Sequence, residues 1–298
     1  MEFARYPFHT GKSLNNVYGK HVRTIARRIA HFTENEDWYI SNGIPHTLGI
    51  LLHGPPGTGK TSFIKAIARD TGRHIISLRL SKETSQKALR QLFYDKHLFV
   101  ESSDCKKETI VVPLDKRIYV IEEIDCLGEI VAQRTKEQKE QKEQKEQKEQ
   151  KEEKTRDVTE PRLDLGFLLD LLDGVLEMPG RILIITSNYP EKLDTALIRP
   201  GRIDCNVTVG FCDKEMITEM FWNFFKHNEN VHAIVRRSFE YLDAINSTEN
   251  ALFGITPAEV SCILQNNLFD PNLAYDVLQT KIHEKNKKKK DAWVSLLS

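Results

Sequence analysis

Up to about residue 210, the apolar positions of this 298-residue chain fall into short unbroken runs alternating with helical stripes. Leu48-Gly49-Ile50-Leu51-Leu52-His53 is a run suited to a strand buried on both faces. His74–Leu80, Arg117–Ile121, Arg181–Thr186 and Cys205–Val209 read as further strands. Between the strands, Lys60 to Asp70 sets Phe63, Ile64, Ile67 and Ala68 at helical spacing, and Leu163 to Leu176 is a second helical stretch. Strands alternating with helices predict βαβ units, hence an α/β fold with a mostly parallel sheet covered on both faces. From Asp213 the strand pattern stops. Asp213–Lys226, Val231–Leu242 and Thr256–Asn267 read as helices, the last with Thr256 as cap, Pro257 in the first turn and Glu259 three residues on. The expected organisation is a linker over 1–37, an α/β domain over 38–212 and a small helical domain with a basic tail over 213–298.

Lys136 to Lys154 fits neither pattern. It is a KEQ repeat of seven Lys, seven Glu and five Gln with no apolar residue, so it has no face to bury and reads as a solvated insertion. A partner-binding arm is the other reading. The tail Lys285 to Lys290 reads as a solvated helix end, with a nuclear address as the alternative. Lys+Arg and Asp+Glu stand at 43 each, and this balance argues against general nucleic-acid binding, which depends on a basic surface. No run approaches the roughly 18 apolar residues of a membrane span. Five cysteines without a C-x-x-C pair suit scattered thiols in a reducing compartment. The expectation is a soluble intracellular protein, cytoplasmic by the lack of address signals.

The chemistry begins at Gly54. Gly54-Pro55-Pro56-Gly57-Thr58-Gly59-Lys60-Thr61 is a complete G-x-x-x-x-G-K-[ST] phosphate-binding loop between a strand and a helix, with Ser62 next along. Such a turn aims several backbone N–H groups and the positive helix end at one point, which suits an anion with several oxygens. Lys60 then reaches the terminal phosphates and the Thr61 hydroxyl holds Mg²⁺. Hydrolysis also needs carboxylates at the end of a neighbouring strand. Ile118-Tyr119-Val120-Ile121-Glu122-Glu123 supplies two, one for Mg²⁺ and one to orient and deprotonate water. The fourth strand ends in Thr186-Ser187-Asn188, whose amide can hold water without a charge. Arg199-Pro200-Gly201-Arg202 follows, two guanidinium groups suited to phosphoryl oxygens.

GPPGTGKT, IYVIEEID and TSNYPEKLDTALIRPGRID, in that order, resemble the AAA ATPases. The stretch from Trp38 to Ala68, with LLDLLDGV, RPGRIDCNVTVGFC and GITPAEV, is most similar to one branch. That branch holds the mitochondrial translocase that inserts the folded Rieske iron–sulfur protein, and related plant ATPases. The resemblance implies a five-stranded phosphate-loop sheet with a helical lid, working with ATP and Mg²⁺ as a homo-oligomeric ring of six or seven copies on a protein substrate. By position it implies phosphate contacts from Lys60 and Thr61, Glu122 at Mg²⁺, Glu123 as the hydrolytic base and Asn188 as a sensor. Arg199 and Arg202 act on a neighbouring copy's ATP.

Three departures stand out. Glu122 replaces the usual Asp, Leu80 to Thr84 lacks the aromatic pore loop of many unfoldases, and GITPAEV lacks an arginine for phosphate. About 37 residues precede Trp38, so the translocase's membrane anchor and its substrate do not carry over. Two other classes share part of the pattern. A nucleotide-retaining scaffold that does not hydrolyse would keep the loop and recruit partners through the KEQ arm. A small-molecule kinase would use a lid arginine from its own chain.

Overall fold

The computed structural model describes residues 3–101, 107–132, 163–227 and 254–297, together with residues 232, 236 and 240; in the last helix side chains are described as far as residue 287. The chain divides into two compact units. One comprises residues 1–11, 28–53 and 68–207; the other comprises 12–27, 54–67 and 208–298.

The first unit is built on the runs the apolar pattern predicts. Strands β2 (Thr47–His53), β3 (His74–Leu78), β6 (Arg117–Ile121), β7 (Arg181–Ser187) and β8 (Cys205–Thr208) form one parallel sheet in the order β3-β6-β7-β2-β8. All five residues of β6 and all seven of β7 are buried, as a sheet covered on both faces requires. Arg117 and Arg181 open these two strands and are nonetheless buried. Backbone carbonyls accept hydrogen bonds from both guanidinium groups: Arg117 donates to Leu92, Asp95 and Val112, and Arg181 Nη2 to Leu172. Burial lowers the pKa of Arg181.

Helices α4 (Gln86–Tyr94) and α5 (Leu165–Asp173) belong to the same unit, each opened by a side-chain cap, Ser85 on the Ala88 amide and Asp164 on the Phe167 amide. Leu89, Leu92, Phe93, Leu168 and Leu172 join Tyr119, Leu183 and Ile185 in one core cluster. A second, three-stranded sheet lies outside the predicted elements. β4 (His97–Glu101) pairs antiparallel with β5 (Lys107–Val111) and parallel with the two-residue β1 (Phe3–Ala4). Its signal is present in the alternating burial of His97-Leu98-Phe99-Val100, but the run is short and bounded by the polar His97 and Glu101.

Gly49 in β2 is a point of close approach. Its carbonyl accepts from the Asp204 amide and its amide donates to Asp204 Oδ2, both at 2.8 Å. A Cβ there would lie 1.8 Å from the Arg202 carbonyl oxygen, closer than any atom tolerates. Gly49→Ala must therefore shift backbone, at an expected cost of about 2–3 kcal/mol of stability. The urea midpoint checks this, and a wild-type midpoint would contradict it.

The second unit gathers the helices α6 (Lys214–Phe225), α7 (Pro257–Asn266) and α8 (Pro271–Leu297) around Met216, Ile217, Phe221, Val260, Leu264 and Leu278. The box expected at Thr256 is present in full, with Thr256 and Glu259 each bonding the other's amide. Residues 1–37, expected as a linker, contain the whole of helix α1 (Lys20–Glu34) and the start of α2 (Glu36–Ser41). The KEQ repeat lies outside the described residues, as does Val231–Leu242 apart from His232, Arg236 and Glu240. The backbone of the basic tail continues as part of α8.

Candidate active site

The phosphate loop leaves β2 at His53 and runs into helix α3 (Lys60–Thr71). Three glycines make its shape possible. Gly54, Gly57 and Gly59 have φ of 142°, 78° and 101°, a region that side chains disfavour. A Cβ on Gly54 would also lie 2.2 Å from the Val209 carbonyl oxygen, whereas one on Gly59 would meet nothing within 4 Å. Lys60 Nζ donates across the loop to the Gly54 and Pro55 carbonyls at 2.6 and 3.0 Å, and the Thr58 hydroxyl donates to Pro55 at 2.8 Å. The exposed Thr61 lies in the first turn of α3, with Ser62 beside it. A lysine ammonium, a helix start and no carboxylate among Gly54–Ser62 fit a polyphosphate.

In the first unit, β6 ends at Ile121 and the chain turns through the exposed Glu122 and Glu123. Glu123 is left-handed, with φ 52° and ψ 51°, the one non-glycine residue at positive φ among those described. A conformation this sparsely populated costs of order 1–3 kcal/mol and persists only where surroundings impose it. Here its amide donates to the Thr186 hydroxyl at 2.8 Å, and its carbonyl accepts from the Cys126 amide at 2.8 Å. Thr186 stands near the end of β7, next to β6 in the sheet.

The Asn188 amide, just past the end of β7, donates to Asp125 Oδ1 at 3.1 Å. Thus Asp125 and Thr186 tie the acidic turn to the strand that carries Asn188. Neither is among the sequence-predicted site residues, although both flank them in the motifs IEEID and TSN.

The two arginines converge on a carboxylate that the motifs do not single out. Arg199 Nη2 lies 3.0 Å from Asp173 Oδ2, and Arg202 Nε lies 3.5 Å from the same oxygen. Their settings differ. The Arg199 side chain is 55% exposed and that of Arg202 only 8%. Arg202 Nη1 also donates to the Ala196 carbonyl. Burial, and next the charge of Arg199, lower the pKa of Arg202, against the opposing pull of Asp173.

A single-chain sheet with a glycine-rich phosphate loop, acids after β6, an amide after β7 and an arginine pair beyond it defines a phosphate-loop ATPase domain. Residues 50–211 match the family described as "ATPase family associated with various cellular activities (AAA)", and the chain belongs to that family. Membership implies ATP binding and, in general, ATP hydrolysis and oligomeric assembly.

The chain is 33% identical over 209 residues to a Dictyostelium discoideum protein named "Probable mitochondrial chaperone BCS1-B", covering 67% of this chain and 42% of that one. It is 33% identical over 203 residues to "Mitochondrial chaperone BCS1" of Bos taurus, with 67% and 40% covered. It is 30% identical over 250 residues to "Protein HYPER-SENSITIVITY-RELATED 4" of Arabidopsis thaliana, with 82% and 36% covered. The chain therefore spans about two fifths of the length of these curated relatives. The branch expected from the motifs is the one these relatives represent. Among the described residues, no helix is long and apolar enough to cross a membrane.

Proposed function

We propose that this chain binds ATP with Mg²⁺, hydrolyses it as part of a homo-oligomeric ring, and couples the reaction to remodelling or moving a protein. The observation that carries this reading is the sheet order. β7 lies between β2 and β6, with His53 opposite Ser187 and Ile121 opposite Ile185. All three strands are parallel, so the start of the phosphate loop, Asn188 and the two glutamates all follow carboxyl ends of the same sheet edge. That is the edge where ligands of open α/β sheets bind.

In this reading the backbone N–H groups of Gly57 to Ser62 meet phosphate oxygens, Pro55 and Pro56 shape the loop without an N–H to give, and Lys60 adds charge. Thr61 and Glu122 would hold Mg²⁺, which when bound would offset the phosphate charge. Among the described residues no group of three or more His, Cys, Asp or Glu could hold a metal ion, which fits an ion that would arrive with the nucleotide rather than sit in a protein cage. Glu123 accepts the proton of the attacking water, and Asn188 orients that water. Arg199, the more exposed of the pair, reaches the phosphoryl oxygens of a neighbouring copy, while Arg202 holds its loop in place. The chaperone names of the relatives from Dictyostelium and cattle support a chaperone role.

The test is ATP turnover measured across protein concentration. If the arginine arrives from a neighbour, turnover per chain climbs steeply as copies assemble and then levels off. A rate per chain that is constant down to nanomolar dilution, with the protein monodisperse, would sink the ring. Tight nucleotide retention with no phosphate release would favour the scaffold reading instead.

A further inference from the structure

The cap of α7 is engaged on two sides. Within the box, Glu259 Oε2 accepts from the Thr256 amide at 2.9 Å and lies 3.2 Å from the Thr256 hydroxyl, which accepts from the Glu259 amide at 3.2 Å. On one side the box meets the phosphate loop. The Ala258 amide donates to the Gly57 carbonyl at 3.3 Å, and a Cβ on Gly57 would lie 3.5 Å from the Thr256 hydroxyl and 3.7 Å from the Ala258 Cβ. On the other side Lys285, from α8, donates to the carboxylate, with Nζ 2.8 Å from Oε1 and 3.0 Å from Oε2.

A capping box satisfies itself and needs no lysine. The ammonium is therefore an addition, and it takes both oxygens of the glutamate. Burial alone would raise the Glu259 pKa, but the bonds from Lys285 and Thr256 outweigh it and keep the carboxyl below its ordinary value.

We propose that Lys285 and Glu259 brace the phosphate loop, as positioning residues that set its affinity for nucleotide. The link is the peptide plane after Gly57. Because that unit is planar and trans, its carbonyl and the Thr58 N–H point in opposite directions. Holding the Gly57 carbonyl on Ala258 turns the Thr58 N–H away from α7 and fixes one donor of the loop before nucleotide arrives. The brace takes a role in this chain that a lid arginine on phosphate does not fill, since Gly254–Val260 holds no arginine. This inference rests on the ATP-binding reading above.

The experiment uses the full chain, a fluorescent ATP analogue for Kd and steady-state turnover for kcat and KM. Lys285→Met is expected to raise Kd and KM about 5-fold while kcat at saturation stays within about 2-fold, the scale of one part-exposed charged hydrogen bond. Lys285→Arg restores the affinity. Glu259→Gln retains hydrogen bonding in the box but loses the charge, and reproduces the weakening. The double variant is no weaker than either single one, because both remove the same contact. The difference shrinks in about 1 M salt, where a part-exposed pair is screened.

Wild-type affinity in Lys285→Met, failure of arginine to rescue, or additive losses in the double variant would each overturn the brace. If wild type retains the analogue, those results leave ATP binding standing. If wild type itself does not bind, both readings fall.

Discussion

Glu123→Gln is expected to leave nucleotide binding intact and to lower ATP turnover by about 10²–10⁴-fold, the usual contribution of a positioned general base. The amide has the same shape as the carboxylate but cannot accept the water's proton. Folding is untouched, because the side chain is exposed and the features that hold the turn are backbone ones. The Thr186 hydroxyl takes the Glu123 amide, and the Cys126 amide meets its carbonyl. Measured kcat together with Kd for ATP decides the matter. Unchanged turnover removes Glu123 from the role of base, and equal loss of binding moves it to the nucleotide or the metal.

Arg199→Ala and Arg202→Ala should separate two effects that the motif RPGR presents as one. With an exposed side chain whose partner among the described residues is Asp173, Arg199 can leave that carboxylate at little cost. Its loss is expected to lower turnover about 10³-fold or more without changing the melting temperature, the magnitude seen where a finger meets the transferring phosphoryl group. Arg202→Ala also removes a donor from the Ala196 carbonyl and an ion pair from Asp173. It should cost about 1–3 kcal/mol of folding stability in addition.

Mixing Arg199→Ala with Lys60→Ala chains gives the decisive readout. Each pure variant is inactive for a different reason. In a mixed assembly, an Arg199→Ala copy binds ATP and a Lys60→Ala neighbour supplies the arginine, so partial turnover returns. Complementation that never appears, with assembly verified by size, would place the arginine in its own chain's site.

The elements legible in the sequence are those whose local pattern and burial agree. β2, β6 and β7 are continuous apolar runs because both faces are covered, and each lies within one residue of its predicted bounds. Thr256-Pro257-Ala258-Glu259 reads correctly because a capping box is closed by residues three apart. α1 escaped because its apolar positions, Val22, Ile25, Ile29 and Phe32, are diluted by Lys20, Arg23, Arg27 and Arg28 on its exposed face. The β4–β5 pair escaped because its strands are short and interrupted by His97, Glu101 and Lys107-Glu108-Thr109, and β1 because its partner β4 is far away in sequence.

The sequence by itself determined the class of chemistry. Glycines at fixed spacing before a lysine and a threonine, two acids closing an apolar strand, and an arginine pair after an asparagine are local patterns, and the family follows from them. Only the tertiary structure decided the order of the strands, since spacing along the chain carries no record of which strand lies beside which. That order sets Thr186 under the Glu123 amide and Asp125 against Asn188, contacts that span 63 residues each. The fold also brings Asp173 to both arginines and, within the second unit, Lys285 to the cap beside Gly57. Hydrogen bonds and ion pairs act over about 3 Å, so partners distant in sequence become visible only when the fold has closed the distance.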